Sequence, residues 1–432
     1  MPAPDVAALL TELERVAPAA ADRARVAVEW LTGGEPLETV TQLDVCEFLW
    51  YTLPIKVSGD HTAIAAALGR LLRLGGLDRY AAICGSASTS RILRTYEMEG
   101  EEAGAAAYQR ALTATGVLPP DVPELRWSSI MGPEELGAHI ACSAALELAV
   151  VAGDLRPATS AWKSRAEALT RRWLTAPRAE LGGDNWVDRV HGERLNRWVL
   201  GRGAARRELA QPFEVRLHAP IPAPEGAHFD ALRWLLEAAA GPGGLPLTAR
   251  HTISAPLADE AAERFGWAGG DGALPTLHRI AEQEMRAVRR TGRCLAITTT
   301  GRRLLADPAA MWQAAASALL TPASAERELE TSVREVGLML LTGGDPLTGA
   351  ALAERVAEVV SGEGWRTTSA ADVTGALADL HHRLEALHLC TSPAHAGHAD
   401  HHPAELTPVG RAAALTALRG QALRPRTYVS AT

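Results

Sequence analysis

Lysine is almost missing from this chain: Lys56 and Lys163 are the only two, so arginine carries nearly all of the positive charge. With abundant alanine, that bias fits a high-GC bacterial coding style, and arginine richness by itself is no sign of a ligand. The five cysteines, Cys46, Cys84, Cys142, Cys294 and Cys390, are widely spaced and form no CxxC. That excludes the common zinc and dithiol motifs; each cysteine sits among apolar neighbours, as small buried hydrophobes in a reducing compartment do. The most apolar run, residues 140–153, falls short of the ~20 residues that cross a bilayer and contains Glu147. The first residues carry acids and no basic segment ahead of an apolar one, so no secretory signal is expected. The chain is read as cytoplasmic, with no membrane partner. Phosphate-loop, dinucleotide-loop, HExxH and GxSxG motifs are also missing. No cofactor is expected, and no catalytic residues can be named.

What is present is ordinary globular material. The chain has 432 residues, 47% of them hydrophobic and 22% charged, with a formal net charge of −8. That length supports two to four domains with real cores. A wholly non-specific nucleic-acid binder is usually basic, so any such contact must use a local basic face.

The most informative stretch runs from His228 to Leu305. Leu232, Trp234, Leu235 and Leu236 predict a first helix ended by Gly241-Pro242-Gly243-Gly244. Ala262 and Phe265 lie on a second. Leu277, Ile280, Ala281 and Val288 recur at helical spacing and predict a third helix with one buried stripe. Its other face carries His278, Arg279, Gln283 and Arg286, with Arg289 just beyond. Arg290-Thr291-Gly292-Arg293 reads as a hairpin turn, Leu295-Ala296-Ile297-Thr298 as the returning strand, and Gly301 onward as a closing helix. Three helices and a hairpin resemble the winged-helix variant of helix-turn-helix domains, with the third helix in the recognition position.

The pattern repeats. Leu31-Thr32-Gly33-Gly34-Glu35-Pro36-Leu37 and Leu341-Thr342-Gly343-Gly344-Asp345-Pro346-Leu347 each end a helix and open a turn, and Gly243 to Thr248 sits in the matching central place. Leu406-Thr407-Pro408-Val409-Gly410 is similar to Ile297-Thr298-Thr299-Thr300-Gly301. The fold class is therefore expected to be mainly α with small β-hairpins (α+β), with repeated winged-helix-like units around a helical middle region. The expected domains are 1–130, N-terminal and winged-helix-like; 131–226, helical, basic and tryptophan-rich; 227–322, central winged-helix-like; and 323–432, C-terminal with a histidine-rich wing. The Leu245-Pro246-Leu247-Thr248 motif followed by such a unit resembles uncharacterised actinobacterial proteins. The resemblance covers the central and C-terminal units, about half the chain, and implies a fold without a reaction or site residues.

Local signals refine this frame. Ile64 to Leu74 is apolar on nearly every face and so predicts a buried helix. Tyr80 to Cys84 and Phe213 to Leu217 read as short strands. The loop from Gly85 to Arg91 reads as a turn or an anion cradle. From Lys163 to Arg207 there are eleven Lys/Arg against five Asp/Glu. Arg194 and Arg197, interleaved with Trp186 and Trp198, suit phosphate contact with base stacking, or else tryptophan core anchors under a solvated arginine face. In the last unit the third helix places Asp372, Asp379 and Arg383 outward, which disfavours DNA there. His395, His398, His401 and His402 crowd the final wing, suiting a bound transition metal or a solvated loop.

Three readings fit: a nucleic-acid-binding regulator using the basic region and the Arg279/Arg286/Arg289 face; a winged-helix protein-interaction scaffold without nucleic acid; and an enzyme of specialised metabolism with an interdomain pocket.

Overall fold

The computed structural model describes residues 5–157, 159–226, 228–267, 272–322, 328–343, 347, 349–365, 369–391 and 405–427. The chain is mainly helical, with small antiparallel sheets. It divides into two compact units, Met1–Val190 with Pro425–Thr432, and His191–Arg424. The division falls inside the stretch expected to be a separate basic region.

In the first unit, residues 6–115 contribute helices and no strand among the described residues. No hairpin follows the expected winged-helix pattern there. Residues 80–84, expected as a strand, belong to the helix Asp78–Cys84. The alternation that suggested a strand is too short to outweigh packing against the helix His61–Leu74. That helix is buried along most of its surface, as its composition predicts. Gly33 and Gly34 take φ of 57° and 94° after the helix Pro18–Thr32, the exit that the repeated glycine motif anticipates. Gly344, Asp345 and Pro346 of its C-terminal copy lie outside the described residues.

The long helix Pro133–Val151 begins with Pro133, Glu134 and Glu135, as its sequence announces. It buries Glu147, whose carboxylate takes hydrogen bonds from the Gln42 backbone N–H (2.7 Å), Arg79 (2.9 Å) and the Tyr80 hydroxyl (2.8 Å). Nearby, Glu135 accepts from the N–H and hydroxyl of Ser128, and the backbone N–H of Arg426 donates to the Ser128 hydroxyl oxygen (2.9 Å). Arg426 is thereby fastened to the rest of this unit.

The second unit has one continuous core running from Leu195 to Ala422. The expected boundary at 322 does not interrupt it. Residues 213–217 form part of the helix Ala204–His218 rather than a strand: Phe213 and Leu217, four apart, are buried, while Val215 between them is 85% exposed. Three strands, β1 (Leu245–Pro246), β2 (Val288–Thr291) and β3 (Cys294–Ile297), form a sheet in the order β1-β3-β2. A second pair joins β4 (Cys390–Thr391) to β5 (Glu405–Leu406). The expected third central helix is shorter than its periodicity suggests. It runs Ala273–Arg279, continues as a π turn over Ile280–Glu284, and gives Val288 to β2.

The two hairpins are built the same way. Arg286 and His388, at φ of 52° and 57°, turn the chain from helix toward strand. After the second strand, Thr298 and Thr407 donate their backbone N–H to Ala287 (2.9 Å) and Leu389 (3.0 Å). Each threonine hydroxyl then caps the next helix by accepting from the N–H of Gly301 (3.1 Å) or Gly410 (2.9 Å). A methyl group at either glycine would overlap the carbonyl oxygen of Ala287 or Leu389. The Thr-x-x-Gly match in the sequence is thus a steric requirement. Gly301→Ala and Gly410→Ala are each expected to cost about 1–3 kcal/mol, read as a lower urea midpoint at unchanged slope.

Candidate nucleic-acid interface

The helix Ala273–Arg279 is mostly buried: Ala273, Leu274, Thr276 and Leu277 all face the core. Its two basic residues are engaged within the protein. The His278 side chain is 13% exposed, with Nε2 3.6 Å from Glu282; burial draws its pKa down although Glu282 opposes that. Arg279 donates to Glu284 (2.7 Å) and to Asp379 (2.6 Å). Of Asp379 and Arg383, both expected to face outward, Arg383 is buried and Asp379 is half-buried and engaged within the protein. Asp379 also accepts from Arg334 (3.2 Å) and Arg383 (2.6 Å), and the Arg383 side chain is fully buried. Helical periodicity places Asp379 off the Val373, Leu380 and Leu384 stripe, whereas Arg383, three residues after Leu380 and seven after Ala376, falls on the buried face. A second helix packs on the Asp379 side, and periodicity carries no trace of it.

The basic, tryptophan-rich segment is similarly occupied. Arg194 is buried and donates to the Leu423 carbonyl (2.7 Å); Arg197 is half-buried. The Trp198 indole N–H donates to Glu335. Arg206, fully buried, reaches Glu335 (2.8 Å) and Glu363 (2.9 Å), and Arg202 reaches Ser332 (3.2 Å) and Glu335 (3.4 Å). The tryptophans pack against cores as the second expectation has it, but its solvated arginine face is not seen, because Arg194 and Arg206 are buried.

Exposed positive charge gathers elsewhere in the second unit, on the β2–β3 hairpin. Arg286, Arg289, Arg290 and Arg293 are exposed there, and Arg302 and Arg303 are exposed on the helix Thr299–Ala306 that follows. No carboxylate occurs between positions 286 and 303. β2 is an edge strand, so the backbone next to these arginines lies open on one side. Arg290 pairs with Glu282 (2.8 Å). Gln283, just before the hairpin, is exposed as well. Arg286, Arg289 and Gln283 are contacts expected from the sequence, whereas Arg290, Arg293, Arg302 and Arg303 are not. The signal that points to them is the acid-free stretch, which a charge count over a longer basic region dilutes.

The remaining candidates show little chemistry. His395, His398, His401 and His402 lie outside the described residues. Among the described residues, no group of three His, Cys, Asp or Glu side chains is placed to hold a metal ion. The loop at Gly85 is the start of a helix: Ser86 caps it by accepting from Thr89 N–H (3.1 Å). Glu135, His139, Cys142 and Ser143 share the buried face of Pro133–Val151. Burial lifts the Cys142 thiol to about 12 and draws His139 down to about 4, with Glu135 opposing the latter. A protonated buried thiol and a neutral imidazole are poor nucleophile and acid.

His139 should instead set an acid limit on stability. Its folded pKa lies below the unfolded value of about 6.5, so the unfolded chain takes up a proton first as pH falls. This residue costs nothing above pH 7, and a cost growing to roughly 3 kcal/mol between pH 6.5 and 4. In His139→Leu, urea unfolding across that range should lack this component of the decline. The chain matches no family model, and no curated protein or solved structure matches it.

Proposed function

We propose that this protein binds nucleic acid through the β2–β3 hairpin of its second unit, by contacts to the phosphate backbone. The observation that carries this reading is the set of exposed arginines at 286, 289, 290, 293, 302 and 303, without a carboxylate among them. Guanidinium groups pair with phosphate oxygens bidentately, and such contacts supply affinity with little sequence information. On this reading the helix–hairpin–helix units are winged-helix-like, and the central one works through its wing. Its third helix contributes core packing, because Arg279 is held by Glu284 and Asp379. The overall charge of −8 limits non-specific attraction elsewhere on the chain.

A second reading, a protein-interaction scaffold, is favoured by the exposed apolar stripe of Leu136, Ile140, Leu148 and Val151 on one helix.

The two separate in one experiment. Anisotropy of labelled duplex DNA, single-stranded DNA and transfer RNA should show binding that weakens steeply with salt. Replacing Arg289 and Arg293 with Ala should lower the log–log salt slope by about 0.9 for each duplex phosphate that is no longer neutralised. The same replacement should leave stability within about 0.5 kcal/mol. Arg279→Ala should do the opposite, lowering stability with the slope kept. Absence of binding to all three at low salt sinks the nucleic-acid reading and leaves the scaffold.

A further inference from the structure

The second unit contains an open cleft of about 640 Å³ that the hairpin does not share. Its walls come from the start of the helix Asp230–Ala240, the end of the helix Ala255–Phe265, and the two ends of the second hairpin at His388 and Thr407. Trp234 and Phe265 meet at 63° with centroids 5.7 Å apart, and Phe265 and His388 meet at 75° and 6.0 Å. The three rings touch edge to face, and Trp267 packs against both Phe265 (5.3 Å) and His388 (5.8 Å), so they form one aromatic wall of the cleft against which a planar guest can lie.

The polar lining differs from the buried ion-pair networks of this unit. Arg202, Arg206, Arg279, Arg334 and Arg383 are all ion-paired. Arg233 and Arg264 line the cleft, yet neither has a salt-bridged carboxylate among the described residues. Arg264 instead lies over the Phe265 ring, 5.4 Å from its centroid. Arg233 is half-buried beside Trp234, with Asp230 and Glu237 one turn before and after it on the same helix. Both acids are exposed and line the cleft as well, without a salt bridge to Arg233. A half-buried guanidinium without a counter-ion is stabilised by an arriving anion. The two carboxylates repel a polyanion such as a nucleic-acid backbone more than they repel a single anionic group, because the repulsion grows with the charge brought near them. Phe229 lines the same cleft and holds φ at 65°, a conformation bulky residues rarely adopt.

We infer that this cleft binds a small planar aromatic molecule carrying one anionic group, with its rings against the Trp234–Phe265–His388 wall and its anion at Arg233 and Arg264. The class comprises aryl carboxylates and sulfonates. The cleft takes such a molecule whatever the arginine-rich hairpin binds.

A matched pair of probes tests it on the full chain. Anilinonaphthalene sulfonate has the rings and the anion; its neutral parent, N-phenylnaphthylamine, has the rings alone. Fluorescence titration should show saturable binding of the sulfonate, about tenfold tighter than the parent, the ratio one charge-assisted contact supports. Arg233→Gln combined with Arg264→Gln should abolish that preference while leaving parent binding and the unfolding midpoint in place. Arg264→Gln alone, at an exposed position, should remove part of it without risk to folding. Equal binding of the two probes, a preference that survives both substitutions, or no saturable sulfonate binding overturns the inference.

Discussion

Buried guanidinium–carboxylate contacts hold the second unit together. Arg206 joins Glu335 and Glu363, and so ties the helix Ala204–His218 to the helix Glu328–Gly343 and to the turn after Gly349–Ser361. Arg279, Arg334 and Arg383 converge on Asp379, while Arg279 and Arg383 also reach Glu284. Arg383 further donates to the carbonyls of Ala318 and Thr321, beyond the end of the helix Pro308–Ser317. Charge buried this deeply is tolerated only when paired and hydrogen-bonded, so every member constrains where the others can be. Burial, then the neighbouring Arg383, pulls Arg334 down to about 10, which leaves it protonated at neutral pH. Asp379 stays ionised because Arg383 and Arg279 outweigh the opposing effect of burial.

This internal use of arginine determines what surface remains for function. A segment that is locally basic in sequence contributes Arg194 and Arg206 to the interior and Arg202 to a carboxylate. The hairpin arginines stay exposed because β2 lies at a sheet edge and no acid occurs between positions 286 and 303, although Arg290 reaches back to Glu282. Charge on an edge strand also discourages pairing with a second chain. In the cleft, Arg233 and Arg264 also carry no salt bridge among the described residues.

Local chemistry was legible in the sequence; pairing across long separations was not. The helix stops at Gly33 and Gly241, the hairpin at Gly292 and the Thr298–Gly301 cap all follow from side chains within a few residues. The similarity between Ile297–Gly301 and Leu406–Gly410 pointed to a shared device because both ends of it are local. Residues 80–84 and 213–217 misled because a few alternating apolar residues fit a strand or a helix face equally well. Arg279 and Asp379 each point outward by the periodicity of their own helix. Their partnership spans a hundred positions, and neither helix alone encodes it.

The buried arginines act as paired structural charges, unlike those of the hairpin. A double-mutant cycle on Arg206→Ala and Glu335→Ala, read by urea unfolding of the full chain, tests that role most directly. Each single variant is predicted to be strongly destabilised, by about 3–5 kcal/mol, with a coupling of about 2–3 kcal/mol between them. Single effects below about 1 kcal/mol with no coupling would show that the pair contributes little, and would contradict that role.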